Sequence, residues 1–434
     1  MQDQNIIMRT LKLICLSLLA VTVALVGAAG QPSSTNINPA LLYYQAFLVA
    51  PAPLPQSEWD YLASKEGWEQ PLPERFAEIL GGYDNQFRLA RQAARATVPC
   101  DWGTDLSAGP ATLLPCLAPA KSVAVMAGLR VTWDLQHGRQ ADARDDLLAT
   151  FTLARNLSRD GTLVSTLVQR AMEAIACYAV AQNFGRFSPE TLKQLADGLE
   201  ATPARGTVAA CVPMEKVLFG DWLLGRIGEL RQANPGDEAK VMSGIHGLLE
   251  GALGEAAETS AALRSDSADP KWWESLTQAA GGTSDGIIRL VRELEPVSQK
   301  LAVLLALPYA EYVTQVKPFE AEVQQSRNPL ISRIVPAWLN SRTKEFRVQV
   351  MLAMVRAGVE YKLHGEQGLQ SVTDPCGQGP FAFERFVFQG VDRGFELKSP
   401  FYPGSFQAVL IFVEKEGPTF LVDGPRAGQA RSNP

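Results

Sequence analysis

The chain is short of the residues that most often do chemistry. It has three histidines in 434 residues, His137, His246 and His364, far apart in sequence, and no Cys-x-x-Cys pair. The spacings of a common metal site are therefore missing, and no cofactor is implied. It also lacks HExxH, a Gly-x-Ser-x-Gly elbow, a P-loop and GxGxxG. Positive charge is not in excess: 40 Lys and Arg stand against 46 Asp and Glu, giving −6, and no stretch concentrates Lys and Arg among aromatics. That balance argues against nucleic acid as a partner. Long apolar runs are confined to the N-terminus. The best later segment, 301–307, ends at Pro308 after Lys300 and is too short to span a bilayer, so it reads as buried helix.

What is present is globular composition. Hydrophobic residues make up 46% and charged residues 20%, which excludes a disordered or collagen-like chain. At roughly 150 residues per domain, the length suggests about two or three domains.

Residues 1–29 read as an address. Arg9 and Lys12 form a short basic region, 13–26 is apolar apart from Ser17 and Thr22, and Gly27-Ala28-Ala29 follows. This order predicts a secretory signal cleaved after Ala28 or Ala29, with Met8 as an alternative start. The competing reading is an uncleaved inner-membrane anchor over 11–29. Either way the remainder is expected outside the cytoplasm, in a periplasm or cell envelope. A membrane is then met only through that segment.

Five cysteines follow Cys15, so at least one stays unpaired in a monomer. Cys100 and Cys116 sit in two Pro-Cys dipeptides bracketing a loop, and a disulfide there would stiffen it. Simple packing of small buried thiols is the plainer alternative, as expected for Cys177.

Periodicity predicts a mainly helical protein. After a linker over 30–38, residues 39–120 should hold N-terminal helices at 39–49 and 74–97, the second split by Gly81-Gly82, and then the 100–119 loop. The 121–203 region shows apolar residues three or four apart in successive segments, for example Ala143, Leu147, Phe151 and Ala154. Asp160 is expected to cap its third helix and Ser188-Pro189 to open its fourth. These segments predict antiparallel helical hairpins packed as in tetratricopeptide units, an α-α superhelix type, though without a 34-residue self-repeat. Helices should continue through 204–370, the last over 343–363 and ending at His364-Gly365. Loops are expected at 266–269 and 281–284. A glycine stripe, Gly244, Gly247, Gly251 and Gly254, predicts close approach by another helix. From 371 to 423, short aromatic segments, including 419–422, predict a small antiparallel β region, and 424–434 a disordered tail.

Cys100-Asp101-Trp102-Gly103, Leu114-Pro115, Arg155-Asn156-Leu157-Ser158, the 163–168 run, His364-Gly365 and Asp374-Pro375-Cys376-Gly377-Gln378-Gly379-Pro380 together resemble a group of exported, helix-rich proteins in planctomycetes and acidobacteria. The resemblance covers most of 39–400 and implies a fold and a compartment, but no reaction. This chain departs from that group at Cys376 and Gly379. It also has Cys116 where the relatives often carry histidine, which weakens a metal or general-base role there.

Four groups of residues merit a chemical reading. Asp101, Trp102 and Asp105 form an acidic and aromatic cluster: a ring can hold a sugar while one carboxyl of raised pKa donates a proton. The plainer use is Asp as turn cap and Trp as buried plug. Ser341 and Lys344 fit Ser-x-x-Lys, but the companion Lys-Thr-Gly is absent, so a helix start is the simpler reading. Trp272-Trp273-Glu274 follows Asp269-Pro270, an N-cap pattern in which the tryptophans pack. His137 and His364 precede glycine at helix ends, where a cation meets the dipole. Two functions remain. One is a non-catalytic envelope scaffold for a protein partner or for self-association. The other is an envelope hydrolase on glycan or peptidoglycan, using Asp101 and Asp105.

Overall fold

The Asn38 side chain accepts the Ala40 amide with Pro39 at the first helical position, and so opens α1 (Pro39–Leu48). The computed structural model describes residues 37–64, 70–259 and 271–415. The prolines after α1 end it, as expected, but Pro55 also stands at the start of an unforeseen α2 (Gln56–Ala63). The helix expected over 74–97 is two, α3 (Arg75–Gly81) and α4 (Asp84–Ala94), split at the glycine pair.

The clearest sequence region folds as α5 (Leu117–Gln136), α6 (Gln140–Leu157), α7 (Leu163–Gln182) and α8 (Pro189–Glu200). His137 and Gly138, at φ 73°, turn α5 into α6. Helices α5, α6 and α7 pack on one another pairwise, whereas α8 packs on α6 and on the last long helix more than on α7. The cap of α7 is Thr162, which accepts the Ser165 amide, and not Asp160. Asp160 stands behind the cap, accepting from the Thr162 amide and the Ser165 hydroxyl. Helix α7 is the one described helix long and apolar enough to cross a membrane, whereas the sequence pointed to 301–307 as the best candidate. It lies at the centre of the packing instead, with 61% of its apolar window buried.

Beyond it come α9 (Val208–Glu215), a π-helical turn over Lys216–Asp221, and α10 (Trp222–Ala233). Pro213 withholds one ladder hydrogen bond from α9, and the helix widens just after it. Then follow α11 (Glu238–Thr259), α12 (Trp272–Ala279), α13 (Ser284–Arg292), α14 (Leu294–Ala306) and α15 (Tyr309–Gln324). The glycine stripe of α11 is a helix contact only at Gly244, which faces α10. A Cβ on Gly244 would meet the Leu230 side chain at 2.7 Å, but Gly247 and Gly251 face nothing within 4 Å. The buried face carries Val241, Ile245 and Leu249 instead.

The last helix starts earlier than 343. Asn328 caps α16 (Pro329–Gln370), accepting the Leu330 amide while its amide nitrogen holds the Leu290 carbonyl, and Pro336 is carried inside the helix. Gly365, at φ 65° and ψ −149°, breaks it at the expected place. Strands β1 (Ala382–Phe388), β2 (Val391–Lys398) and β3 (Val409–Val413) form an antiparallel sheet in that order, with Phe395 opposite Phe412. These two rings stack at 4.7 Å, and Phe184 meets both edge-on. Gly185 donates to the Val413 carbonyl at 2.7 Å, an approach that leaves no room for a Cβ. The expected features at 1–36, 266–270 and 416–434 lie outside the described residues.

Three apolar cores result. One gathers α1 to α4, Trp102 and one side of α5 to α7; the second gathers the other side of α5 to α7 with α8, α9, α14 to α16 and the sheet; the third gathers α10 to α13. Buried ion pairs tie the second core to the 201–207 connection. Arg170 donates to Glu345 at 2.6 Å, Glu345 also accepts from the Val208 amide, and Glu173 accepts from Arg155 and Arg205.

Candidate functional site

In the 100–119 loop the acidic and aromatic residues part company. Trp102 is buried, its Nε1 donating to the Asn156 carbonyl at 2.8 Å. Its rings stack near Tyr43 and Phe47 and meet Tyr44 edge-on. No face is left on which to hold a sugar. Asp101 and Asp105 are exposed and serve their own loop: Asp101 Oδ1 accepts the Gly103 amide and Asp105 Oδ1 the Ser107 amide, each at 2.9 Å. Those bonds to Ser107 lower the Asp105 pKa, opposite to what a proton donor needs. Neither carboxylate lines a described cavity.

Cys100 and Cys116 are free, buried thiols within the first core. Burial pushes Cys100 up to about 12 and Cys116 up to about 11, with each near enough to the other for Cys116 to raise Cys100 further. The pairing considered from sequence is thus not formed in this structure, although the two residues do share one core.

The remaining candidates are structural. Ser341 lies inside α16 and not at a helix start; its hydroxyl donates to the Ala337 carbonyl at 2.8 Å rather than to Lys344, whose pKa burial lowers. His137 sits at the end of α5 with Nδ1 2.8 Å from the Trp133 carbonyl, and His364 has Nδ1 3.0 Å from Glu360. Trp273 stacks on His246 at 4.5 Å, and the Arg333 guanidinium lies over Trp272 at 5.1 Å. Among the described residues no three His, Cys, Asp or Glu side chains converge as a metal set.

The site with capacity lies elsewhere. Where the three cores meet, a mainly apolar cavity of about 1070 Å³ opens between the loop, α7, the π turn, α10, α14 and α16. Val168, Phe219, Leu224, Val297 and Ile334 line it, all only partly buried. Leu113 stands at its wall with 85% of its surface exposed. The far half of the loop therefore builds the site that its acidic half does not. Gly109, at φ 64°, sits so close to Trp222 that a Cβ would meet the indole at 2.4 Å, which seats the loop against α10. Glu215 lines the cavity and accepts the Leu163 amide at 2.7 Å; burial raises its pKa and Asp160 adds to the shift. Lys216 pairs with Glu295 at 2.7 Å on exposed side chains of the lining. Sequence reading missed this cavity because its lining comes from five segments more than 200 residues apart at the extremes. The local signals were Leu113-Leu114 in an otherwise polar loop and Pro213 just before the widened turn.

No protein-family model, curated protein or solved structure matches the chain.

Proposed function

We propose that this protein is a non-catalytic helical scaffold of the bacterial cell envelope that holds a protein partner by an apolar segment seated in the cavity at the junction of the cores. The observation that carries the reading is the cavity itself. Its volume of about 1070 Å³ reaches the top of the range usual for small ligands, and partly buried aliphatic and aromatic side chains line it. That suits the apolar face of an amphipathic helix laid in a groove. A π turn in its wall adds support, since such turns recur at functional sites. The pairwise packing of α5, α6 and α7 is compatible with tetratricopeptide-like stacking, and export follows from the reading of residues 1–29 as a cleaved signal or inner-membrane anchor.

The hydrolase alternative asks for a carboxyl of raised pKa beside a sugar-holding ring. Here both loop carboxylates are engaged by amides and the ring is a plug. The test is a pull-down from envelope extract with wild type, Leu224→Asp and Asp101→Asn/Asp105→Asn. A partner retained by wild type and the asparagine double variant but lost with Leu224→Asp supports the scaffold. Retention of a glycan by the double variant alone would favour the hydrolase.

A further inference from the structure

A second cleft, of about 850 Å³, lies between α3, α4, α5 and the start of α6. Arg88 and Arg91 of α4 and Arg95 just after it line the cleft at helical spacing, and Arg130 and Arg139 complete five guanidinium groups. Most of this charge is spent inside the fold. Arg91 and Arg130 take one oxygen each of Asp146, a carboxylate with no exposed surface, at 2.6 and 3.0 Å. Arg130 also donates to the Leu80 carbonyl and Asp84, and Arg139 holds Asp134 Oδ1 at 2.6 Å. Arg95 reaches Asp145 only at 3.3 Å, on an exposed side chain.

Two valences are left over. The exposed Arg88 guanidinium has no ion-pair or hydrogen-bond partner among the described residues. Asp134 is 4% exposed, yet its Oδ2 accepts no hydrogen bond. A buried carboxylate oxygen without a donor is costly, so a free cation and a starved acceptor lining one cleft call for a ligand that serves both. Desolvation raises the Asp134 pKa, consistent with that shortage. The missing donor need not be cationic: Arg139 already neutralises Asp134, and Arg130 on the same helix would repel an ammonium group. A hydroxyl fits better.

We propose that this cleft binds a hydroxyl-bearing anion, a sugar phosphate or sugar acid, with its anionic group on Arg88 and a hydroxyl donating to Asp134 Oδ2. The planar fork of arginine suits either anion, so the two sources are separated by experiment. This site is independent of the apolar cavity, and its test does not depend on that reading.

The test is titration calorimetry on the full chain with glucose 6-phosphate and glucuronate, with glucose and inorganic phosphate as half-ligands. At least one anionic sugar is expected to bind about tenfold or more tighter than either half-ligand. Arg88→Gln, at an exposed and unpaired position that leaves packing alone, should weaken that binding by about tenfold or more. Asp134→Asn, if thermal unfolding shows it folded, should reduce the anionic sugar to the affinity of the bare anion. Binding of glucuronate alone assigns a sugar acid, and of glucose 6-phosphate alone a sugar phosphate. The proposal is overturned if neither anionic sugar gives saturable heat, if inorganic phosphate binds as tightly as both, or if Arg88→Gln changes nothing.

Discussion

The Trp102 indole donates to the Asn156 carbonyl at 2.8 Å, and the Asn156 amide in turn reaches the Tyr43 hydroxyl at 3.2 Å. One buried chain of hydrogen bonds thus joins the 100–119 loop to the end of α6 and to α1. Of the two uses weighed for this tryptophan, sugar platform or buried plug, it has the second, as a fastener between three elements.

Trp102→Phe keeps most of the packing but strands the Asn156 carbonyl, so it should cost about 1–3 kcal/mol in chemical denaturation. Trp102→Ala, which also empties the ring's place among Tyr43, Tyr44 and Phe47, should cost about 3–5 kcal/mol. Asp101→Asn and Asp105→Asn, on exposed turns, should each stay within about 0.5 kcal/mol of wild type. A stable Trp102→Ala protein would contradict this assignment.

Glu345 is the node of the second core. It accepts from Arg170 and from the Val208 amide at the start of α9, and it also pairs with Arg342. Glu345→Ala leaves buried guanidinium groups uncompensated and should destabilise by about 3–5 kcal/mol, measured by urea unfolding. Replacing Arg170 and Glu345 together by methionine should cost less than the single change. Additive losses would show that the pair is not coupled.

The helices were legible because their apolar periodicity is strong; α6 carries the face marked by Ala143, Leu147, Phe151 and Ala154, and α8 begins where Ser188-Pro189 placed it. The last helix was expected only from 343, yet Asn328, held by the Leu290 carbonyl, caps it at Pro329 and it carries Pro336 inside. The sheet was legible from Phe383, Phe386 and Phe388 in β1 and from the short segments 394–397 and 408–413 set off by Gly and Pro. The candidate site was not. The acidic loop drew attention through residue type alone, whereas the cavity exists only after distant apolar side chains meet, and no spacing in the sequence encodes that meeting.

The Glu215 carboxyl titrates with a definite sign. Its folded pKa is raised above the ordinary 4.5, so the folded state holds the proton more tightly than the unfolded state. Its contribution therefore favours folding below the ordinary carboxylate range and is lost as pH rises through the raised value. Glu215→Gln keeps an acceptor for the Leu163 amide and removes the titration. Denaturation midpoints of the two proteins should diverge as pH rises from about 4 to about 7, with the glutamine form gaining, by about 1.4 kcal/mol for each tenfold difference in proton affinity between the folded and unfolded states. A difference that does not change with pH would contradict the desolvation account.

All five described thiols are buried, and burial pushes Cys211 and Cys376, like Cys100, up to about 12. The reduced protein should resist iodoacetamide at about pH 8 while folded and take five labels over these positions once unfolded. Mass spectrometry counts the adducts, and rapid labelling of any of them in the folded state would count against the packing described.

The most direct measurement of the scaffold reading is photocrosslinking from Leu113 in cells that produce the protein, with the same crosslinker at Asp105 as the comparison. One defined protein adduct is expected from Leu113, abolished by Leu224→Asp in a chain that still unfolds at the wild-type temperature, and none from Asp105. Adducts at Asp105 to glycan, with only lipid or solvent products from Leu113, would contradict it.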